Sequence, residues 1–424
     1  MSLNDIKKMI KEIIKKIILR IYPNRCIQTL LNIYVKVLKR QQWPGRHLKT
    51  PYKGIIGNNR LEDPFARGMS AALIFSRTWQ DPEHSHHKIG SGRMQQEVFA
   101  CLNQVGFTAE FAGAEDRVYS DQLLNSDLLI VLITALPKIF NRIKKNALTA
   151  IFTCNTYAPV ALKRLLESMQ RWRLPFEGFA DYYIKIPTYI KAYNQADYLL
   201  IAENEQGINN FLANGIPAGK IKRYNNFCDD DVWVPGRRRR EKFTFVVWAS
   251  GLGIRKGLPA LTAAWKEWFR GQAAELHIFG VPTPTTDRMF KGLKEGSPAP
   301  GLFLHLDLIP AQDPRIIKFL GASHVGVYPT LEDAQPSSLL EMASCGLPII
   351  TTRESGVDFH ADFCRYVAPD SVVELQEALQ YWYERRAEID EAGKKSRLFI
   401  KKHHTKEVLH KRFREIIYEI MTGN

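Results

Sequence analysis

The chain has 424 residues, 45% hydrophobic and 24% charged, enough apolar material for the cores of two ordinary domains and too much for a disordered chain. Its formal charge is +15, but residues 1–50 carry twelve Lys/Arg against Asp5 and Glu12, so the excess sits at one end and argues against a uniformly basic nucleic-acid binder. Six cysteines are scattered without a C-x-x-C pair, which speaks against a disulfide framework or zinc site and for reduced, buried thiols in a cytosolic protein.

The first element is a basic arm. Ile6, Met9, Ile10, Ile13, Ile14, Ile17 and Ile21 recur at helical spacing, with Lys7, Lys8, Lys11, Lys15 and Lys16 on the other face. Lysines interrupt every apolar run, so neither a membrane span of ~20 residues nor a signal peptide fits. Pro23 ends the helix and a second apolar-basic segment follows over 27–40. Such a helix is suited to lie on an anionic membrane surface; the competing reading packs its apolar stripe on the body of the protein.

From about Met69 strands and helices alternate. Strands are predicted over 71–76, 108–111, 128–133, 150–154, 198–201 and 220–223. After the first comes a loop with His84, His86, His87 and the run Gly90, Ser91, Gly92. A helix follows with Met94, Val98 and Leu102 on one face, closed by Gly106. Glycines at a helix start are also what an ordinary turn uses. The histidines lack Cys, Asp or Glu at ligand spacing, so no metal site is expected. Asp229, Asp230, Asp231, Pro235, Gly236 and the four arginines at 237–240 mark a linker. A second series then gives strands over 243–249, 275–279, 302–305, 325–328 and 347–351. Its helices are expected over 258–270, around 287–294, over 313–320, from 337, and over 372–386 and 406–421. Alternation of this kind predicts parallel sheets covered on both faces.

Two loops of the second series carry chemistry. The loop at 250–259 reads S-G-L-G-I-R-K-G-L-P between a strand and a helix, where α/β sheets bind ligands. Its glycines let the backbone approach a phosphate, and Lys256 offers a compact charge. The stretch at 327–352 passes from strand through an acidic loop to a helix and a second strand. Ser337 and Ser338 are N-cap candidates beside free backbone amides that suit an anion. Asp333 and Glu341, seven residues between them, add carboxylates for hydroxyls. Phosphate and hydroxyl sites together suit a nucleotide sugar, whereas a capped helix with two solvated acids is the bland alternative.

The run P-S-S-L-L-E-M-A-S-C-G-L-P-I-I, with Asp333 upstream of it, resembles the E-x7-E region of family 4 retaining glycosyltransferases (glycosyl transferases group 1). Asp333 stands where the family has its first Glu, and Glu332 lies one position out of register, which leaves open which acid faces the sugar. The 250–259 loop is similar to the family's G-x-L-x-x-x-K-G segment, with Gly251 where an Arg is common and Arg255 the candidate substitute. Residues 194–231 resemble its domain-boundary segment, with Phe227 in place of a Gly. Asn155 occupies the place of a His at the end of the strand over 150–154; an amide can donate to a sugar hydroxyl but cannot shuttle a proton.

The resemblance implies an α/β protein of GT-B fold, two Rossmann-like domains facing a cleft, with the basic amphipathic helical arm added. The expected division is 1–45 arm, 46–235 acceptor domain, 236–400 nucleotide-sugar domain and 401–424 a helix crossing back to the first domain. It implies Lys256 on the donor diphosphate, Asp333 on sugar hydroxyls and Glu341 on the ribose as the catalytic set. Gly251, Arg255, Pro336, Ser337 and Ser338 complete the donor site, and Gly90, Ser91, Gly92 and Asn155 line the acceptor cleft. The resemblance implies a metal-independent reaction without a cofactor, in which the leaving phosphate itself takes the acceptor's proton. The expected function is transfer of a sugar from a nucleotide sugar, with retention, to a glycan or lipid-linked acceptor in cell-surface polysaccharide or lipopolysaccharide assembly. The enzyme would be cytoplasmic, on the inner face of an anionic membrane. The alternatives are a non-catalytic GT-B-like nucleotide-sugar or glycan binder and a polyanion binder using the arm and the arginine run, although no nucleic-acid partner is expected.

Overall fold

The computed structural model describes residues 68–423, apart from 76–89, 114–118, 154–155, 175–179, 237–239 and short breaks between 270 and 311. The basic arm, the histidines at 84–87, Asn155, three of the four arginines at 237–240 and most of the helix expected near 287–294 lie outside the described residues.

The first sheet contains β1 (Ser70–Phe75), β2 (Thr108–Gly113), β3 (Leu128–Leu132), β4 (Leu148–Thr153), β5 (Tyr198–Ile201) and β6 (Ile221–Arg223) in the order β2-β1-β3-β4-β5-β6. All its pairings are parallel. These strands are near-continuous apolar runs because both faces of the sheet are covered. Successive side chains point to opposite faces, so Ala72, Ile74, Leu129 and Val131 enter one core while Ala71, Leu73, Phe75, Leu128 and Ile130 enter the other. Helices α1 (Gly90–Gln104), α2 (Ala158–Arg171), α3 (Ala180–Gln195) and α4 (Glu205–Leu212) connect the strands.

The second sheet contains β7 (Phe243–Gly251), β8 (Ala274–Val281), β9 (Glu295–Ala299), β10 (Leu302–His305), β11 (Val325–Tyr328), β12 (Ile349–Thr351) and β13 (Cys364–Tyr366) in the order β13-β12-β11-β7-β8-β10-β9. It is parallel except for the edge strand β9, which runs antiparallel to β10. Its helices are α5 (Leu258–Trp268), α6 (Pro314–Ala322), α7 (Ser337–Ser344), α8 (Val372–Glu384) and α9 (Ile389–His403). Strands β9 and β13 and helix α9 are additions to the elements read from the sequence. The segment E-G-S-P-A lacks apolar alternation, and C-R-Y is three residues long, so neither carries a periodic signal. Sheet order reverses between β1 and β3 and between β7 and β11, the switch points where open α/β sheets form ligand crevices beyond their carboxyl ends.

Helix α10 (Lys406–Thr422) does not pack on the domain it follows. Its Leu409, Phe413, Ile416, Ile417, Ile420 and Met421 lie in a core of the first sheet, with Phe413 against Tyr224 at 5.1 Å between ring centroids. Glu97 of α1 accepts from Lys406 and pairs with His410 at its outer edge. Among the described residues no helix is long and apolar enough to cross a membrane.

Candidate functional site

The β7 and β11 ends build one wall. After β7 the chain turns through Ile254–Lys256 and Gly257. Gly257 has φ +68°, and a Cβ there would stand 1.9 Å from the Pro329 carbonyl oxygen, so only glycine allows this approach. The two loops are then stitched together: Leu331 N–H and Thr330 Oγ1 both donate to the Arg255 carbonyl, at 2.8 and 2.9 Å. This delivers Lys256 Nζ to a direct hydrogen bond with Asp333 Oδ2. Tyr328, the last residue of β11, donates its hydroxyl to the same oxygen at 3.0 Å. Arg255 completes the cluster, 3.4 Å from both Asp333 and Glu332.

Burial pulls Lys256 down to about 8, helped by Arg255 and opposed by Asp333. Burial pushes Asp333 up, but Lys256 and Arg255 outweigh it and hold this acid below the usual carboxylate range. Glu332 points elsewhere: it is wholly buried, and neither carboxylate oxygen has a hydrogen-bond partner, its Arg255 contact being an ion pair without hydrogen-bond geometry. Burial drives its pKa up.

Glu341 lies on the second turn of α7 and receives the Trp248 indole N–H from β7 at 2.6 Å. Burial lifts it to about 7, against that hydrogen bond and the charge of Arg93. Arg93 comes from the first turn of α1, in the other domain, and pairs with Asp229. The first sheet's strand ends form the facing wall. Thr156, after β4, donates to Glu203, after β5, at 2.6 Å and lies 3.2 Å from the Asp333 carbonyl. Asn204 donates to Arg353 O at 2.8 Å, and Arg164 of α2 pairs with Glu354 at 3.2 Å. Gln335, at φ +49°, accepts from Asn226 N–H at 2.7 Å, fastening the acidic loop to the domain-boundary segment. Leu165 and Met169 of α2 pack on Ile254 and Leu331, so the cleft is closed by apolar contact as well.

Lys256, Asp333, Arg255 and Glu341 thus share one wall, at the switch point of the second sheet. Gly251 ends β7 facing open space, with nothing within 4 Å of a Cβ. Gly90, Ser91 and Gly92 are the first residues of α1. One local expectation is corrected: Ser337 and Ser338 are not the cap of α7. Pro336 holds that position, with φ −63° and ψ 132°, and the serines are the first two helical residues. A proline fixes its own φ and cannot donate, so the helix begins directly after it. Arg93, Thr156, Glu203, Trp248 and Gln335 escaped the sequence reading. Arg93, one residue beyond Gly92, had a signal in its helix-start position; the others meet their partners only across the fold. Among the described residues no three His, Cys, Asp or Glu side chains converge to hold a metal ion.

Residues 244–385 match the family model described as Glycosyl transferases group 1. The second domain belongs to that family, family 4 of the glycosyltransferases, and the chain is a glycosyltransferase that uses a nucleotide sugar. In fold the chain is similar to sucrose-phosphate synthase of Thermosynechococcus elongatus, at 12% identity and TM-score 0.64 over 84% of this chain and all of that one. HepE of Anabaena, in complex with UDP and glucose, aligns at 11% identity and TM-score 0.57 over 83% of this chain and all of HepE. A glycosyltransferase of Rickettsia africae aligns at 12% identity and TM-score 0.56 over 84% and 100%. These likenesses show the GT-B fold. No curated protein matches the sequence.

Proposed function

We propose that the protein transfers a sugar, with retention of configuration, from a nucleotide-sugar donor to a glycan or lipid-linked acceptor in cell-surface polysaccharide or lipopolysaccharide biosynthesis. The observation that carries the donor site is the meeting of Lys256 and Arg255 with two acids at the β7–β11 switch point. A donor diphosphate takes these cations as partners in place of Asp333, which frees Asp333 for sugar hydroxyls. The Ser337 and Ser338 amides, behind Pro336, face the same anion. Glu341, steadied by Trp248, accepts from the ribose. Charge developing on the leaving nucleotide is offset by Lys256, and the leaving phosphate takes the acceptor's proton. The acceptor enters from the first domain, past Gly90, Ser91, Gly92 and Asn155, and Gly251 leaves space beside the phosphates. UDP-glucose heads the donors to test, since HepE binds it.

Removing the Lys256 charge by Lys256→Ala lowers kcat/KM by about 10²–10³ and, by leaving buried Asp333 with Arg255 alone, also lowers thermal stability; wild-type turnover in that variant sinks the assignment. Residues 1–45 place the enzyme on the cytoplasmic face of an anionic membrane. Full-length protein therefore floats with phosphatidylglycerol-containing liposomes while a variant lacking 1–45 does not, and equal flotation removes this part of the proposal.

A further inference from the structure

Thr156 has one hydroxyl proton and two acceptors. Its Oγ1 lies 2.6 Å from Glu203 Oε1 and 3.2 Å from the backbone carbonyl of Asp333, the acid on the opposite domain. An ionised Glu203 takes that proton and leaves the Asp333 carbonyl without it. A protonated Glu203 donates to Thr156 Oγ1, and Thr156 then donates to Asp333. Only the second arrangement makes both the Glu203–Thr156 and the Thr156–Asp333 hydrogen bonds.

The surroundings favour it. Glu203 is 1% exposed. Its other oxygen occupies a slot that exists because residues 207 and 356 are glycines: a Cβ would stand 2.3 Å from it at Gly207 and 2.7 Å at Gly356. The groups facing it are Glu332 and Asp333 from the acidic loop and Arg164 from α2. Arg164 is already engaged by Glu354, and Arg255 and Lys256 are engaged by the acidic loop itself. Burial pushes Glu203 well above the usual range, Thr156 and Arg164 oppose it, and Glu332 and Asp333 push the same way as burial.

We propose that Glu203, in its protonated form and acting through Thr156, is a positioning residue that sets the Asp333 loop and makes the closed cleft proton-dependent. It touches neither donor nor acceptor in this role. The proposal rests on the donor-site reading above only for its effect on catalysis; the relay is a property of the free protein.

The sign follows from linkage. A carboxyl raised in the closed fold favours that fold fully below its ordinary pKa, and the benefit is lost as pH rises. Three measurements on full-length protein test it. First, a difference infrared spectrum of wild type against E203Q at pH 7 shows a protonated-carboxyl band that the variant lacks. Second, without ligand, wild type loses unfolding stability relative to E203Q as pH rises from 5 to 8, because a Gln amide donates to Thr156 at every pH. Third, UDP affinity of wild type relative to E203Q weakens with rising pH by up to about tenfold per unit, while E203A is weak throughout. G207A, a residue change that favours helix, displaces the carboxyl and removes the infrared band. Absence of that band, or parallel pH profiles of wild type and E203Q, overturns the proposal. Failure of UDP to bind at any pH overturns the donor-site reading instead, and the first two measurements still decide this one.

Discussion

At the scale of single residues, two acids of one motif live in different electrostatic settings. Asp333 sits against Lys256, Arg255 and Tyr328 and stays ionised, while Glu341 has one indole N–H and a more distant arginine. The consequence for Glu341 is a pH-dependent cost. Its folded pKa of about 7 is raised, so its contribution is most favourable below the ordinary carboxylate range and is lost as pH rises through about 7. Glu341→Gln should therefore gain stability over wild type between pH 5 and 8, on the order of 3 kcal/mol at the upper end, measured by urea unfolding at each pH. A difference that stays flat with pH contradicts the burial argument. The acids and Lys256 were legible in the sequence because they fall within two short segments of fixed spacing. Thr156 and Glu203 were not, because their meaning depends on Asp333, 177 residues away from Thr156, and no local pattern encodes a contact that closure creates.

At the scale of elements, the loops after β7 and β11 act as one unit, since two donors from the second loop end on the Arg255 carbonyl. Gly257 is where they come closest. Gly257→Ala places a Cβ into the Pro329 carbonyl at a left-handed φ. It should cost about 2 kcal/mol or more and weaken UDP binding by pulling Lys256 off its position. Calorimetry would show both, and a variant with native affinity would mean the loops move independently. Most strands were readable as apolar runs bounded by Gly and Pro. The start of α7 was readable to within one residue, but the cap was assigned to serines when the rigid Pro336 takes it. Propensity for capping gave way to a backbone already fixed by proline. Strand β9 stayed hidden for the opposite reason: it is held by pairing with β10 at a sheet edge, not by its own pattern.

At the scale of the molecule, two sheets with their switch points turned to one cleft explain why Lys256, Arg255, Asp333 and Glu341 gather on the second domain while Arg93, Thr156 and Glu203 arrive from the first. Among the described residues the interdomain contacts mix ion pairs, hydrogen bonds and apolar packing, the last including Leu165 and Met169 on Ile254 and Leu331 and Trp172 on the second domain's core. Such an interface is suited to open and close. Phe413, wholly buried in α10, belongs to the first domain's core. Phe413→Ala should cost about 3–5 kcal/mol and destabilise the first domain, as followed by hydrogen exchange in β1 and β3. Loss confined to the second sheet would contradict this packing.

That same helix sets an order of events during synthesis. The first domain's strands leave the ribosome early, yet one face of their sheet waits for Leu409 through Met421 to cover it. Until then Met94, Val98 and Leu102 of α1 cover only part of that face, and Phe152 and Tyr224 lack the Phe413 ring that packs on them. A nascent chain halted near residue 400 should remain protease-sensitive in its first domain although every strand of that domain has already been made. The buried core of the second domain runs from Cys228 to Ile400, so all of its members have been made before α10. The part translated first is thus the part finished last.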